Sequence, residues 1–276
     1  MNTISRRVLR RVGACAVAAA VAVGSLSLAA PTSAESQAGS YKVTIKVSAT
    51  TAIAKEDTLT FRGKVTPKAA GSTVALEQRL PNKAVWKTSG KAKIKKNGTY
   101  VLRDKPTRTG VRQYRVVKGA SAGLRRGVSP AVKVTVYAWE ALGYRTQGAA
   151  QNVASTEAII AAQSYYPSLV TELTSPYPMP PVLQPTGFIE YTLAKKCTTL
   201  KATYSLDDKS ATGSTGSIAI STDGAARDLV NLTVGSIFAD RELDVTGAFR
   251  IRFDFTQSVN PAAYPAVGLP MVLCTR

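Results

Sequence analysis

The sequence predicts an all-β fold, two antiparallel β-sandwiches in tandem after a cleaved signal peptide. Two observations lead to this prediction. Short runs of alternating apolar and polar residues recur along the chain, separated by turn-forming residues, as expected for strands with one buried and one solvated face. An apolar N-terminal stretch follows a group of arginines, which is typical of an export signal.

Residues 1–34 are predicted to form the signal peptide. Four arginines lie among the first eleven residues, residues 12–30 are apolar and small, and residues 32–34 (TSA) provide a cleavage site before Glu35. The pair Arg6-Arg7 leaves two export routes open, the twin-arginine route and the general secretory route. No later stretch reaches the roughly 20 apolar residues of a membrane span. We therefore expect an extracellular protein, secreted or associated with the cell surface, with no transmembrane segment in the mature chain.

The charge distribution divides the mature chain near residue 137. Residues 35–137 contain 22 Lys and Arg against five Asp and Glu, a formal charge of +17. Residues 138–276 contain ten against twelve, a charge of −2. The 242 residues that remain of 276 after a 34-residue signal suit two sandwiches of ordinary size. We predict a basic domain over residues 35–137 and a second domain over 138–276, joined by a short, stiff junction.

The basic half contains six alternating runs, residues 41–47, 59–65, 73–79, 100–102, 110–117 and 129–136. Asn97-Gly98 is a strong tight-turn signal. The half resembles a bacterial immunoglobulin-like domain on residues 63–67 (GKVTP), 74–79, 98–100, 110–115 and 129–130, together with Trp86. The resemblance implies a sandwich with Trp86 and Tyr114 in its core, and a Tyr114 hydroxyl that bonds to the backbone as a tyrosine corner.

The second half alternates in the same way. One face of each predicted strand is apolar, namely Ile189, Tyr191 and Leu193, then Leu200, Ala202, Tyr204 and Leu206, then Phe249, Ile251, Phe253 and Phe255. Turn signals at Asp223-Gly224, Thr246-Gly247 and residues 210–216 separate these strands. Five prolines between residues 176 and 185 predict an extended surface loop.

The chain has three cysteines, of which Cys15 lies in the predicted signal peptide. Cys197 and Cys274 remain as an even pair in an exported protein, which predicts a disulfide from parity and compartment. The bridge would join the last strand to an early one and close a long loop. Two buried free thiols are the alternative.

Residues 138–276 resemble the NPCBM family, the novel putative carbohydrate-binding module. The matching stretches are 189–193 (IEYTL), 197–202 (CTTLKA), 206–210 (LDDKS), 223–224 (DG) and 243–248 (LDVTGA), preceded by 139–142 (WEAL) and 164–169 (SYYPSL). The resemblance implies a jelly-roll-like β-sandwich that binds carbohydrate. It also favours extended structure for residues 157–162, although residues 149–163 fit a helix on propensity.

The resemblance extends further for the fold than for the sugar site. Members of the family often carry a Gly-x-His-Ala element and a terminal Asp-His-x-x-Trp element. This chain has no histidine, and residues 260–265 (NPAAYP) replace the terminal element. Sugar binding is therefore what the resemblance implies, and the residues themselves do not establish it.

The lack of histidine limits the kinds of active site and metal site that the chain can form. It excludes a Ser-His-Asp or Cys-His nucleophile and a histidine zinc site. There is no phosphate loop or dinucleotide fingerprint, and we expect no cofactor and no metal. The adjacent carboxylates Asp207 and Asp208 leave three alternatives open: a strand-end turn, part of an acid-only glycoside hydrolase site, or, with Asp223, a structural calcium site.

Sugar binding would need exposed aromatic faces beside amide or charged groups. The candidates are Tyr264, Asn260, Tyr165, Tyr166 and Gln257. Tyr264 ranks first because it lies between prolines, in a loop where the resemblance places the binding end. Core packing is the alternative for each tyrosine.

The basic half suggests a polyanion site. The candidate residues are Lys91, Lys93, Lys95, Lys96, Arg112, Arg115, Arg125 and Arg126. An exported protein would meet teichoic-type polymers, acidic polysaccharides or phospholipid headgroups, and the sequence shows no recognised nucleic-acid-binding module. A solvated face that blocks edge pairing of strands is the alternative.

Together these features predict a secreted, non-catalytic protein that binds carbohydrate or the cell envelope, with a basic module for an anionic polymer. Two alternatives stay open. One is a structural, adhesion or partner-binding protein whose sugar site is lost, and the other is a hydrolase that uses acids alone.

Overall fold

A computed structural model describes residues 39–174 and 182–275. The predicted signal peptide, Cys15 and the prolines from 176 to 181 lie outside the described residues. The described residues belong to one compact unit. They form strands and one 3-10 turn, Leu142–Tyr144, with no α-helix among them, so the all-β prediction is confirmed.

Among residues 39–174 and 182–275 we find no helical segment with the length and hydrophobicity that a membrane span requires.

Up to residue 141 the described chain forms ten strands in two layers. They are β1 (Lys42–Val43), β2 (Lys46–Val47), β3 (Thr51–Ile53), β4 (Leu59–Thr66), β5 (Thr73–Arg79), β6 (Lys87–Lys93), β7 (Thr99–Asp104), β8 (Gly110–Lys118), β9 (Gly127–Val128) and β10 (Val132–Ala141). In one layer, β4 pairs with β7 along one edge and with β1 and β2 along the other. The second layer has the order β3-β10-β8-β5-β6, with β9 beside β8. The pairing is antiparallel except between β3 and β10, which are parallel.

The first hydrophobic core lies between these two layers. Alternation along β4 points Leu59, Phe61 and Val65 inward, and all three are buried. Phe61 meets Tyr114 of β8 across the core, with ring centroids 4.7 Å apart. Buried apolar side chains from both layers, including Val74 of β5, complete one continuous cluster.

Strand β10 continues from the first core into the second half without a break. Val134 and Val136 are buried in the first core, while Ala138 to Ala141 pair with a strand near the C-terminus, opposite Cys274 to Met271. The predicted boundary between residues 137 and 138 therefore falls inside a hydrogen-bonded strand. The two halves share backbone pairing at their junction, and no loop connects them there.

From residue 146 onward the described chain forms twelve strands. They are β11 (Thr146–Gln151), β12 (Val153–Ile160), β13 (Gln163–Thr171), β14 (Leu173–Thr174), β15 (Val182–Leu183), β16 (Thr186–Thr192), β17 (Cys197–Leu206), β18 (Thr215–Thr222), β19 (Ala225–Thr233), β20 (Ile237–Asp244), β21 (Arg250–Gln257) and β22 (Pro265–Cys274). One layer has the order β12-β13-β22-β17-β20, and the other has the order β11-β16-β21-β18-β19. β14 and β15 form a separate pair. The extended structure predicted for residues 157–162 is confirmed for residues 157–160, which lie in β12. It is wrong for Ala161 and Ala162, which form the turn before β13.

The second core fills the space between these two layers. Its buried side chains include Ile189 and Tyr191 of β16, Tyr204 of β17 and Phe253 of β21. The alternation predicted from the sequence is confirmed for β16 and β17. On β21 it holds for Ile251, Phe253 and Phe255, but the prediction is wrong for Phe249. That residue precedes the strand and is 46% exposed.

The predicted disulfide between Cys197 and Cys274 is present, with a sequence separation of 77 residues. The two cysteines face each other in the register of β17 and β22. Both are buried in the second core. The bridge therefore ties the last strand to the first residue of β17, and the free-thiol alternative is excluded.

Two aromatic predictions in the basic half are corrected. Trp86 lies in the loop between β5 and β6 on the outside of the sheet, with the Arg115 guanidinium 4.0 Å and the Arg79 guanidinium 4.7 Å from its ring centroid. Tyr114 is buried as predicted, but its hydroxyl donates to Asp104 Oδ2 at 2.7 Å. Two other tyrosines of this half bond to the backbone: the Tyr100 hydroxyl donates to the carbonyl of Thr44, and the Tyr41 hydroxyl donates to the carbonyl of Ser121 at 3.2 Å.

Candidate functional site

Asp207 and Asp208 hold the turn between β12 and β13. Asp207 is buried, and its Oδ2 accepts the backbone N–H of Ile159 at 3.0 Å. The two carboxylate oxygens of Asp208 accept the N–H groups of Ala161 and Ala162, at 2.9 and 2.7 Å. These two alanines have positive φ, a conformation that L-residues adopt at a cost and that the Asp208 bonds stabilise. The geometry favours the turn among the three alternatives for this pair.

Asp223 also accepts hydrogen bonds from the backbone. Its oxygens accept the backbone N–H groups of Phe249 and Arg250, at 3.0 and 2.8 Å. These two bonds lower the pKa of the exposed carboxyl. Among the described residues no group of three or more Cys, Asp or Glu is arranged to hold a metal ion.

The loop-end residues predicted to bind sugar do not form one exposed patch. Tyr264 is half-buried against a small cluster of Ala158, Ile160, Val170 and Ala266, which lies on the outer face of the β12-β13-β22 sheet. The Lys209 ammonium covers its ring, 4.5 Å from the centroid.

Gln257, Asn260 and Tyr166 are not part of this cluster. Gln257 is buried, and its Nε2 donates to the carbonyl of Gln184 at 2.7 Å. Asn260 is exposed in the loop before β22. Tyr166 is 71% exposed, whereas its neighbour Tyr165 is half-buried against the same cluster as Tyr264.

Tyr165 lines a groove on the outer face of the second half. The groove has a volume of about 250 Å³ and is bordered by two aromatic rings, those of Trp139 from β10 and Tyr165 from β13. Lys201 from β17 and Asp240 from β20 lie on its polar side, and Met271 from β22 completes the apolar side. Five strands thus contribute to one site, and we call it the aromatic groove.

Two bulges create the aromatic groove. The register of β17 shifts against β22 between Lys201 and Thr203, and against β20 between Ala202 and Tyr204. A bulge re-aims side chains and is common beside functional sites. Asp240 has a φ of 49°, and its N–H donates to the Thr203 hydroxyl at 3.3 Å, which turns it toward β17.

Gly268 provides the space for the Tyr165 ring. A Cβ at this position would lie 3.0 Å from Cδ1 of Tyr165 and 3.2 Å from Cδ1 of Ile160. The absence of a side chain lets the ring lie close over β22. A larger residue at position 268 would push the ring into the groove or away from the sheet.

Lys201 and Asp240 form an accessible ion pair on the polar side of the groove, which Thr203 also lines. Lys201 Nζ lies 3.4 Å from Asp240 Oδ1, and their side chains are 37% and 76% exposed. An exposed pair of this kind contributes little to stability. It presents one donor group and one acceptor group beside two aromatic rings, which is the combination that recognises hydroxyl-rich, C–H-rich ligands.

A second depression, on the outer face of the five-stranded layer, is less suited to a ligand. Its charges are already paired, since Glu190 accepts from both Arg250 and Arg252, at 3.3 and 3.2 Å, and Arg252 also pairs with Asp254 at 2.7 Å. The bond to Asp254 raises the pKa of Arg252. The guanidinium carbon of Arg252 lies 3.8 Å from the ring centroid of Phe188 and covers that aromatic face.

The lysines predicted for polyanion binding lie at one edge of the first half. Lys91 and Lys93 are exposed on one face of β6, an edge strand, and alternate with Ala92. Lys95 and Lys96 are exposed in the turn that leads to β7. The turn closes through bonds from Gly98 N–H to the Lys95 carbonyl and from Lys95 N–H to the Thr99 carbonyl.

The four predicted arginines are not equivalent. Arg112 is buried and donates to Gln78 Oε1 at 3.0 Å and to the Arg108 carbonyl, so its guanidinium is not at the surface. Arg115 pairs with Glu77 at 2.8 Å under Trp86. Arg125 and Arg126 are exposed, with Arg126 3.8 Å from the same Glu77.

Sequence reasoning missed Trp139, Lys201 and Asp240 as members of a site. A signal was present for Lys201, because it alternates with the buried Leu200 and Ala202 and so had to face outward. No local signal links the three residues, because they come together only through pairing between distant strands. β10 and β17 both pair with β22, and β20 pairs with β17.

Comparison of the chain with models of known protein families found no match, and comparison with curated proteins found none either.

Proposed function

We propose that this chain is an exported, non-catalytic carbohydrate-binding protein of the cell envelope, and that the aromatic groove takes a sugar ring. The observation that carries the proposal is the convergence of Trp139 and Tyr165 beside an accessible Lys201–Asp240 pair. Aromatic faces pack on the C–H side of a pyranose, and the charged pair offers a donor and an acceptor for its hydroxyls.

The resemblance of residues 138–276 to a carbohydrate-binding family implies the same class of ligand. Of the residues predicted to bind sugar, Tyr165 lines the groove. The predicted signal peptide supports an extracellular location. The chain has no histidine, and the adjacent carboxylates Asp207 and Asp208 are bonded to the β12–β13 turn. These features favour binding over hydrolysis.

The test is binding of the chain without its predicted signal peptide to a panel of purified polysaccharides at physiological salt. We expect saturable binding to at least one glycan, and a Tyr165→Ala variant to bind about tenfold more weakly, since the loss of one central contact costs on the order of 1.4 kcal/mol. Lys201→Ala removes the donor without touching the core and should weaken binding in the same direction.

Tyr144→Ala is the matched control, because Tyr144 is 82% exposed and lies outside the groove. Equal affinity of all variants for the bound glycan would place the site elsewhere. Absence of binding to every polysaccharide and to purified cell wall would reject the proposal.

A partner-binding function is the second candidate, and strand β20 favours it. Among the described residues β20 pairs only with β17, so its other edge has no strand partner. At the end of β20 the carbonyl of Asp244 accepts from the Arg227 guanidinium at 2.9 Å, whereas the start of the strand is open. Ile237 and Phe238 at its start are 45% and 38% exposed. An open, partly apolar edge can accept a strand from another protein. If this function holds, protease treatment of cells should remove their capacity to retain the protein, whereas glycan-degrading enzymes should not.

A further inference from the structure

Five basic side chains project from one face of the layer built on β4. They are Lys42 of β1, Lys46 of β2, Arg62 and Lys64 of β4, and Arg103 of β7. All five are exposed. We call this surface the β4 basic face; none of its five residues belongs to β6 or lines the aromatic groove.

The register of the layer places these residues on the same side. Lys46 lies opposite Arg62, and residues directly opposite each other in an antiparallel pair point to the same face. Arg103 lies opposite Thr60, two residues before Arg62 on β4. Lys42 lies opposite Thr66, two residues after Lys64. The intervening residues Phe61 and Val65 point into the core.

No acidic residue shares the β4 basic face in the described strands. Glu77 lies on β5 in the other layer and pairs with Arg115. Asp104 accepts the hydroxyl of the buried Tyr114 at 2.7 Å. Glu56 and Asp57 are in the loop before β4, where Asp57 accepts the N–H of Ile53 at 2.7 Å. The described part of the chain shows no ion pair for any of the five cations.

The proximity of these five cations lowers the stability of the sheet. Like charges directly opposite each other destabilise a sheet, and an acidic residue at position 46 or 62 would remove the repulsion. Neighbouring strands are about 4.8 Å apart and alternate residues about 6.8 Å apart, so the charges form a compact two-dimensional array. Such an array gains stability from a ligand that places several negative charges across it.

We propose that the β4 basic face binds a linear phosphodiester polymer of the cell envelope, of the teichoic type. The side chains on the face are lysine and arginine donors together with the threonines Thr60, Thr66 and Thr99 and a half-buried Val101. Phosphate oxygens are acceptors only, and arginine binds them through two parallel N–H bonds. A donor-rich surface therefore matches a phosphodiester chain.

The composition of the face disfavours other anionic partners. A polysaccharide with hydroxyls needs acceptor side chains and aromatic rings, as in the aromatic groove, and single-stranded nucleic acid needs aromatic rings for base stacking. A surface that enters the membrane interface carries exposed aromatic or apolar side chains, whereas electrostatic attraction to anionic headgroups does not need them and is tested separately with vesicles. The described strands of the β4 basic face expose neither aromatic residues nor large apolar residues.

The lysine turn after β6 extends the array at one end. A Cβ at Gly98 would lie 3.3 Å from Cγ of Lys68 and 3.8 Å from Cγ of Lys64, so these two stems flank the turn that contains Lys95 and Lys96. The N–H of Val65 also donates to the Gly98 carbonyl at 2.9 Å. A polymer bound to the β4 basic face can therefore also contact Lys95 and Lys96, two of the lysines predicted to bind a polyanion.

The test compares two triple variants of the chain without its predicted signal peptide. The face variant is Lys42→Gln with Lys46→Gln and Lys64→Gln, and the matched control is Lys87→Gln with Lys91→Gln and Lys93→Gln on β6. Each removes three exposed lysines and the same charge. The probe is immobilised poly(glycerol phosphate), with anionic phosphatidylglycerol vesicles as a second arm, and affinity is measured across a series of salt concentrations.

We expect the face variant to lose at least tenfold in affinity for poly(glycerol phosphate). The slope of log affinity against log salt should become shallower by about 2, since each lost contact with a single-stranded polyanion contributes about 0.7. The control should keep the wild-type slope within about 0.5 of its value, on the same scale. Thermal unfolding of both variants verifies that they fold.

Three results would overturn the proposal. They are an equal loss of affinity in both variants, an unchanged affinity in the face variant, and binding to the vesicles as tight as binding to the polymer. Because β1, β2, β4 and β7 contribute nothing to the aromatic groove, glycan binding and polymer binding can fail separately.

Discussion

Lys46 on β2 lies directly opposite Arg62 on β4, and both side chains face solvent. The sheet beneath them is well packed, with Phe61 and Val65 fully buried. The first half thus combines a conventional core with an uncompensated cationic surface. We therefore expect the repulsion between the two cations to lower the stability of the fold.

Lys46→Gln should raise the free energy of unfolding by about 0.5 kcal/mol, because it removes a like-charge pair from the face. Urea unfolding at low salt measures the change. The gain should shrink as salt is added, since exposed charges are screened. Lys91→Gln is the control, because Lys91 lies opposite Ala75, and should have no comparable effect. A lower stability of the Lys46 variant would show that the cation is stabilised by its surroundings.

Loss of the disulfide should destabilise the second half strongly. Replacement of Cys197 and Cys274 by serine should lower the free energy of unfolding by about 4.5 kcal/mol in the chain-entropy model for a loop of this length. Denaturant unfolding of the oxidised protein and the double variant gives the difference. A reducing agent should lower the stability of the wild type and leave the variant unchanged, and equal stabilities before reduction would contradict the prediction.

Asp208→Ala should loosen the turn between β12 and β13. The change removes the acceptors of two backbone N–H groups, those of Ala161 and Ala162, at a cost of about 1 kcal/mol. Faster hydrogen exchange of these two amides is the expected readout. Calcium should leave the melting temperature of the wild type unchanged. A calcium-dependent rise that the substitution abolishes would instead identify Asp208 as an ion ligand.

Asp223 should contribute to acid sensitivity. The N–H groups of Phe249 and Arg250 hold its pKa below the ordinary value of 3.8. A depressed folded pKa gives stability that is present above the unfolded pKa and is lost as pH falls through the lower folded value. A carboxyl NMR titration should place the midpoint below 3.8. Asp223→Asn should be less stable than wild type at neutral pH and approach it in acid, and a midpoint above the ordinary value would contradict this account.

The strands were predictable from the sequence because alternation is a local property. Ile251, Phe253 and Phe255 had to face one side of β21, and they do. The same alternation places Arg112 on the buried face of β8, because it shares that face with Tyr114 and Val116. Alternation gives no information on Trp86, because it lies in a loop, where it covers the guanidinium groups of Arg79 and Arg115.

The candidate sites depended on pairing between distant strands, which alternation cannot reveal. Trp139 and Tyr165 meet because β10 and β13 both pair with β22. Lys46 and Arg62 meet because β2 pairs with β4. Whether a side chain points to solvent or to the core can be predicted from its place in the alternation. Which side chains become neighbours on a surface depends on the register between paired strands.

The aromatic groove can be tested with its own reporter, because the chain contains two tryptophans, Trp86 and Trp139. In a Trp86→Phe variant, Trp139 is the single tryptophan, and it borders the groove. Titration with a glycan that the protein binds should change the emission of Trp139 saturably, with the same midpoint as the binding curve. Saturable binding without any change in Trp139 emission would contradict the assignment of the groove as the carbohydrate site.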